Sequence, residues 1–248
     1  MKLEGKTAVV TGGTGGLGWY ICKSLAAEKA KIVLVYLKSR EKAEGYAAEL
    51  RSMGTEAVAV SADVTTEEGI GKMADAAVSS FGGIDALVLN AAFNKWVNFS
   101  DLESLDPALW NDIINYNLTA PYLAMRTIGP KMKEKGGRIV TISSIAGLSP
   151  SGSSIAYCVS KAGLIHLTRC MSVALAPSVL VNSVAPGLME GTRMTENLAP
   201  EYADKARKSA LIGKAAERED VADAVKTFIK TDSITGQTLV VDGGKVFH

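Results

Sequence analysis

No stretch of this chain approaches the roughly 20 consecutive apolar residues that a membrane-crossing helix needs. The opening Met1-Lys2-Leu3-Glu4-Gly5-Lys6 carries an acidic residue and leads into a short apolar run, unlike a secretory leader. Cysteine is scarce and odd in number. Cys22, Cys158 and Cys170 form no pairable framework, which fits a reducing compartment and reads each as a buried thiol. Histidine is scarcer still: His166 lies five residues past Lys161, roughly 140° round a helix, and His248 is terminal, so neither reads as catalytic. Without a His, Cys or carboxylate cluster at ligand spacing, no catalytic metal is expected. Excess charge of one sign is also missing. With 27 Lys and Arg against 26 Asp and Glu, the chain offers no electrostatic footprint for nucleic acid or an anionic membrane. Repeats, low-complexity tracts and linkers are absent. What remains is a cytoplasmic, soluble protein whose 248 residues, 47% of them hydrophobic, read as one domain with a sizeable core.

What is there is an alternation of strands and helices. Thr7 to Val10 is β-rich and runs into Thr11-Gly12-Gly13-Thr14-Gly15-Gly16-Leu17-Gly18, then into a helical pattern through Ile21, Leu25 and Ala26. Further strands are expected at 32–37, 57–60, 84–89, 138–144, 179–184 and 238–241. Helices are expected at 41–53, 65–81, from Asp106-Pro107 to about Lys135, from near Tyr157 to Ala176, and at 219–229. Thr65 or Thr66 is the expected N-cap of the 65–81 helix. The 188–211 segment reads as irregular, a flap able to cover a site. This regularity predicts an α/β fold of the doubly wound Rossmann type: a mostly seven-stranded parallel sheet flanked by helices, with its crevice at the carboxyl ends of the strands.

Several residues in that frame carry chemistry. Glycines between a strand and a helix let the backbone approach a ligand, and the helix N-terminus beyond them offers unpaired N–H groups to a phosphate. About 20 residues on, a dinucleotide fold that takes NAD places a carboxylate to accept the adenosine ribose hydroxyl. Here the sequence is Tyr36-Leu37-Lys38-Ser39-Arg40, with no acid before Glu41. That favours NADP(H); the alternative is that Lys38 and Arg40 are merely solvated. Asn117 interrupts a helix interior, either for a polar task or because it is exposed. Tyr157 and Lys161, four apart, share one helix face, and a fixed cation there would lower the phenol's pKa for acid/base chemistry.

Taken together in order, these motifs resemble the short-chain dehydrogenase/reductase family over essentially the whole chain, in its single-domain β-ketoacyl-reductase-like branch. Thr11-Gly12, Gly16 and Gly18, with Thr14 and Leu17 between, resemble its cofactor loop. Asp63-Val64 resembles the adenine-contacting pair, and Asn90-Ala91 its Asn-Ala-Gly motif with Ala92 in place of Gly. Asn117, Ser144, Tyr157-x-x-x-Lys161, Asn182, Pro186-Gly187 and Val241-Asp242-Gly243-Gly244 complete the pattern. The resemblance implies NADP(H) held by these loops, with Lys38, Ser39, Tyr157 and Lys161 among its contacts. It implies a carbonyl substrate that receives a proton from Tyr157 and a hydrogen bond from Ser144, with Asn117 holding a water that relays protons to Lys161. It also implies a homo-oligomer, commonly a tetramer. Gly15 stands where NADP-dependent members often have a basic residue, so the cofactor expectation rests on Lys38, Ser39 and Arg40. Phe93, Trp96, Leu148, Ile155, Met189 and Met194 are candidates for an apolar substrate pocket or for core packing. Other readings are a catalytically silent NADP-binding scaffold, an NAD-dependent alcohol, steroid or polyol dehydrogenase, and a sugar-nucleotide epimerase or dehydratase. The last usually needs a longer chain.

Overall fold

The computed structural model describes residues 1–192, 195 and 200–247. Its strands are β1 (Thr7–Thr11), β2 (Lys31–Tyr36), β3 (Ala57–Ser61), β4 (Ala86–Leu89), β5 (Gly137–Ile142), β6 (Val179–Pro186) and β7 (Thr238–Val241). They form one parallel sheet in the order β3-β2-β1-β4-β5-β6-β7. The helices are α1 (Gly16–Ala27), α2 (Arg40–Ser52), α3 (Glu67–Phe81), α4 (Pro107–Ile114), α5 (Ala120–Met132), α6 (Ile155–Leu175), α7 (Pro200–Ser209) and α8 (Arg218–Lys230).

The strands are apolar at nearly every position because both faces are covered. Side chains alternate along each strand, so Val10, Ile32, Leu34, Val88 and Val140 meet Ile21, Leu25, Val225 and Phe228 of α1 and α8. Val9, Val33, Leu87, Ile139 and Val181 face the other way, onto Ile70 and Met73 of α3, Met125 and Ile128 of α5 and Leu175 of α6. β2 and β3 lie on one side of β1, and β4 to β7 on the other. The chain therefore reverses its winding between β1 and β4, and loops diverging from two adjacent strand ends leave a crevice there.

Two local features differ from the sequence expectation. The helix expected to run unbroken from Asp106-Pro107 to about Lys135 ends at Met132 and is interrupted at Asn115–Thr119, which is π-helical, with the Ala120 N–H donating to the Asn115 carbonyl. Pro121 follows at once. It has no N–H to give to the Asn117 carbonyl four residues back, so an uninterrupted α-helix is disfavoured just where Asn117 sits. The second difference is α7, a helix inside the segment expected to be irregular. The helix starts hold as read: Asp106 accepts from the Leu109 N–H at 2.8 Å with Pro107 at the first helical position, and Thr66, rather than Thr65, accepts from the Gly69 N–H at 3.0 Å.

Candidate active site

A cleft of about 670 Å³ runs along the carboxyl ends of the strands, in the size range of ligand sites. Gly12, Thr14, Gly16, Leu17, Gly18, Lys38, Ser39, Asp63, Val64, Asn90, Ala91, Ser144, Tyr157, Lys161, Pro186 and Gly187 all line it. Loops far apart in the chain are thus brought to one groove by the parallel sheet alone.

At the switch point, the β1 and β4 ends are tied together. The Thr11 hydroxyl accepts from the Asn90 and Ala91 N–H groups, each at 3.0 Å, and the Asn90 amide donates to the Thr11 carbonyl at 2.9 Å. The loop from β1 to α1 needs glycine at its tightest points: a Cβ on Gly18 would stand 2.2 Å from the Gly12 carbonyl oxygen, and Gly12 itself has φ +65°. Backbone therefore faces the cleft just before the N-terminus of α1, which suits a diphosphate. At the β2 and β3 ends, Lys38 and Ser39 are exposed, and the Asp63 carboxylate is oriented by the Thr65 N–H at 2.9 Å and the Thr65 hydroxyl at 2.6 Å. Arg40 opens α2 and is not part of the cleft wall. These residues fit a nicotinamide dinucleotide: glycine backbone for its phosphates and a cation at its adenosine ribose.

At the β5 end, Ser144 and the first turn of α6 face one another. The Ser144 hydroxyl accepts from the Ala146 N–H at 3.1 Å, and Ser154 caps α6 by accepting from the Tyr157 N–H at 3.1 Å. The Lys161 ammonium lies 5.6 Å from the Tyr157 ring centre, as the shared helix face requires, and donates to the Ile142 carbonyl at 2.9 Å. The expected lowering of the Tyr157 pKa by Lys161 is outweighed by burial. Burial pushes the phenol up to about 12, partly opposed by its hydrogen bond with Ser144. Burial also pulls the Lys161 ammonium down from 10.5 to about 7.

That second shift has a measurable consequence. Between pH 7 and 10 the unfolded chain holds the Lys161 proton that the folded chain has lost, so stability rises with pH across this window. The contribution approaches about 1.4 kcal/mol per pH unit at most. The Lys161→Met variant should lack this rise. Denaturant unfolding of both proteins at pH 7 and pH 9 should show the wild type gaining on the variant, and parallel curves would refute the shift.

Asn117 is fully buried rather than exposed, and it stands behind the cleft. Its side chain is entirely engaged: Oδ1 accepts from the Phe93 N–H at 2.9 Å, and Nδ2 donates to the Phe93 carbonyl at 2.8 Å and to the Ser160 hydroxyl at 3.1 Å. Ser160 in turn donates to the Tyr157 carbonyl at 2.8 Å. Asn117 thus clamps the loop after β4 to the helix that bears Tyr157 and Lys161. Pro121 has no N–H to offer the Asn117 main-chain carbonyl.

Of the apolar candidates, Phe93, Trp96 and Met189 line the cleft, whereas Leu148 and Ile155 do not. Met194 and His248 lie outside the described residues. His166 is exposed on α6. Sequence reasoning missed Tyr202 and Ala206 of α7, which also line the cleft; Tyr202 meets Trp96 edge to face at 5.2 Å. Their i, i+4 spacing on an otherwise polar segment was the available signal. Asp112, Tyr116, Ser153 and Lys245 were likewise not singled out.

The fold and cleft are those of a dinucleotide-binding oxidoreductase. A family model described as short chain dehydrogenase matches residues 6–203. The chain is 35% identical over 249 residues to the 3-oxoacyl-(acyl-carrier-protein) reductase FabG of Aquifex aeolicus, covering 98% of each protein. It is 33% identical over 248 residues to the 2,5-dichloro-2,5-cyclohexadiene-1,4-diol dehydrogenase LinX of Sphingobium indicum, covering 98% of this chain and 97% of that one. A crystal structure of a short-chain type dehydrogenase/reductase from Mycobacterium marinum superposes with a TM-score of 0.90 at 28% identity, over 99% of this chain and 97% of the other. The chain belongs to the short-chain dehydrogenase/reductase family, oxidoreductases that bind a nicotinamide cofactor, and ketoacyl reductases are among its relatives.

Proposed function

We propose that this protein is an NADP(H)-dependent oxidoreductase that interconverts a ketone and a secondary alcohol, with Tyr157 as the general acid and base. The observation that carries the reading is the set of Ser144, Tyr157 and Lys161 on one wall of a cleft whose far end bears Lys38 and no carboxylate on β2. Bound nicotinamide supplies the hydride. Tyr157 gives its phenolic proton to the carbonyl oxygen as negative charge develops there, and the Ser144 hydroxyl donates a second hydrogen bond to that oxygen. A phenol at about 12 remains protonated at neutral pH, so it is ready for reduction. Oxidation of an alcohol needs the phenolate and speeds up as pH rises. Lys161 positions the cofactor ribose and reloads Tyr157, with protons reaching it through water held at the Asn117 carbonyl.

One domain serves both cofactor and substrate, and α7, whose Tyr202 and Ala206 line the cleft, belongs to a flap over the substrate. By family analogy the protein is a cytoplasmic homotetramer. A ketone mixture incubated with NADPH deuterated on its transferring carbon tests the reaction itself. Mass spectrometry should find deuterium on the carbinol carbon of a product alcohol, and unlabelled or absent alcohols would overturn the reading.

A further inference from the structure

Among the described residues, the charged side chains lining the cleft are Lys38, Asp63, Asp112, Lys161 and Lys245. Lys38 and Asp63 stand at the β2 and β3 ends, Asp112 is on α4, and Lys161 belongs to the acid/base pair. Lys245 has no part in that scheme. It follows β7, at the opposite edge of the sheet from β3, so it faces the cleft from the end remote from Lys38.

The turn that carries it is built. The Asp242 carboxylate, 7% exposed, accepts from the Gly244 N–H at 2.8 Å, the Lys245 N–H at 3.1 Å and the Val246 N–H at 2.7 Å. Those bonds fix residues 242–246 as a tight loop and commit the Asp242 carboxylate to backbone. Gly187 packs on Asp242 and Gly244 on Leu211, which seats the loop between the end of β6 and the α7 side of the cleft. Among the described residues nothing forms an ion pair with the Lys245 ammonium. The chain after β6 also lines the cleft, through Leu188, Met189, Thr192, Thr195, Tyr202 and Ala206. Lys245 is partly exposed on the cleft wall, and a cation there can make a charge-assisted hydrogen bond to an anion that enters the cleft.

We infer that the substrate carries an anionic group, a carboxylate or a phosphate ester, and that Lys245 binds it. The inference rests on the carbonyl-reducing reading of the same cleft and names the class of carbonyl. β5, which leads to Ser144, and β7, which leads to Lys245, are two strand spacings apart, about 10 Å. The anion is therefore several bonds from the reacting carbon, which disfavours α-keto acids.

The test compares keto acids of increasing chain length with their methyl esters, and with a keto thioester of phosphopantetheine, in wild type, Lys245→Met and Lys245→Arg. The matching anion should lose about 10- to 100-fold in kcat/KM in Lys245→Met, mostly through KM. Its ester should be unchanged, and Lys245→Arg should restore most of the loss. The carboxylate and phosphate arms identify which source the lysine takes. Equal loss for acid and ester, or a weakened NADPH Kd in Lys245→Met, would overturn the inference, the latter by assigning the lysine to the cofactor. If nothing turns over, the proposed reaction fails instead. Calorimetry of the same acids and esters with the NADP⁺-loaded proteins then decides Lys245: wild type should bind the acid and Lys245→Met should not, and equal binding refutes it.

Discussion

Tyr157→Phe should lower kcat/KM for carbonyl reduction by at least about 10²–10⁴-fold, the usual worth of positioned proton transfer. The substitution removes one oxygen and leaves the ring, so the helix cap from Ser154, the Asn117 clamp and the Lys161 hydrogen bond to Ile142 all survive. Without the phenol, the developing oxyanion keeps the Ser144 hydroxyl but has no proton to take. NADPH affinity should change little, because the glycine loop, Lys38 and Asp63 are untouched. Turnover and NADPH titration on the same preparation separate the two effects. Near-normal turnover would mean that another group donates the proton.

The second large effect concerns the cofactor. Lys38→Asp should reduce the preference for NADPH over NADH by about 100-fold, through weaker NADPH binding and improved NADH binding. Two unit charges about 4 Å apart interact by up to about 4 kcal/mol at a surface-like dielectric, and solvent screening at the exposed Lys38 lowers this. The substitution also installs the carboxylate that the end of β2 lacks, an acceptor for a free ribose hydroxyl. Raising the salt concentration should erode the wild-type preference and barely touch that of the variant. An unchanged ratio of the two kcat/KM values would show that Lys38 is merely solvated.

Much of this site was legible in the chain because parallel strands buried on both faces write themselves as continuous apolar runs, and the loops at their ends carry the chemistry. The order of Gly12, Asp63, Asn90, Ser144 and Tyr157 along the chain is the order in which those strand ends are reached. Properties that depend on what surrounds a side chain were not legible. Tyr157 and Lys161 were correctly paired by spacing, yet burial moves both pKa values opposite to the simple pairwise expectation. Asn117 stood out, but its role as a clamp on Phe93 and Ser160 needs the fold, although Pro121 four residues later already hinted at the break in the helix. The 200–209 helix is mostly charged with a narrow stripe of Tyr202 and Ala206, too weak a pattern to distinguish from a loop. Leu148 and Ile155 stay open between pocket and packing in the sequence, since hydrophobicity near a catalytic residue does not say which way a side chain faces; neither lines the cleft.

The most direct test of the account is a panel of ketones and alcohols followed at the nicotinamide absorbance, with NADPH and NADH supplied separately to the wild-type protein. The wild-type protein should consume NADPH with at least one ketone, at a kcat/KM well above that with NADH. Tight NADPH binding with no consumption would favour a silent scaffold, and faster reaction with NADH would contradict the reading of Lys38.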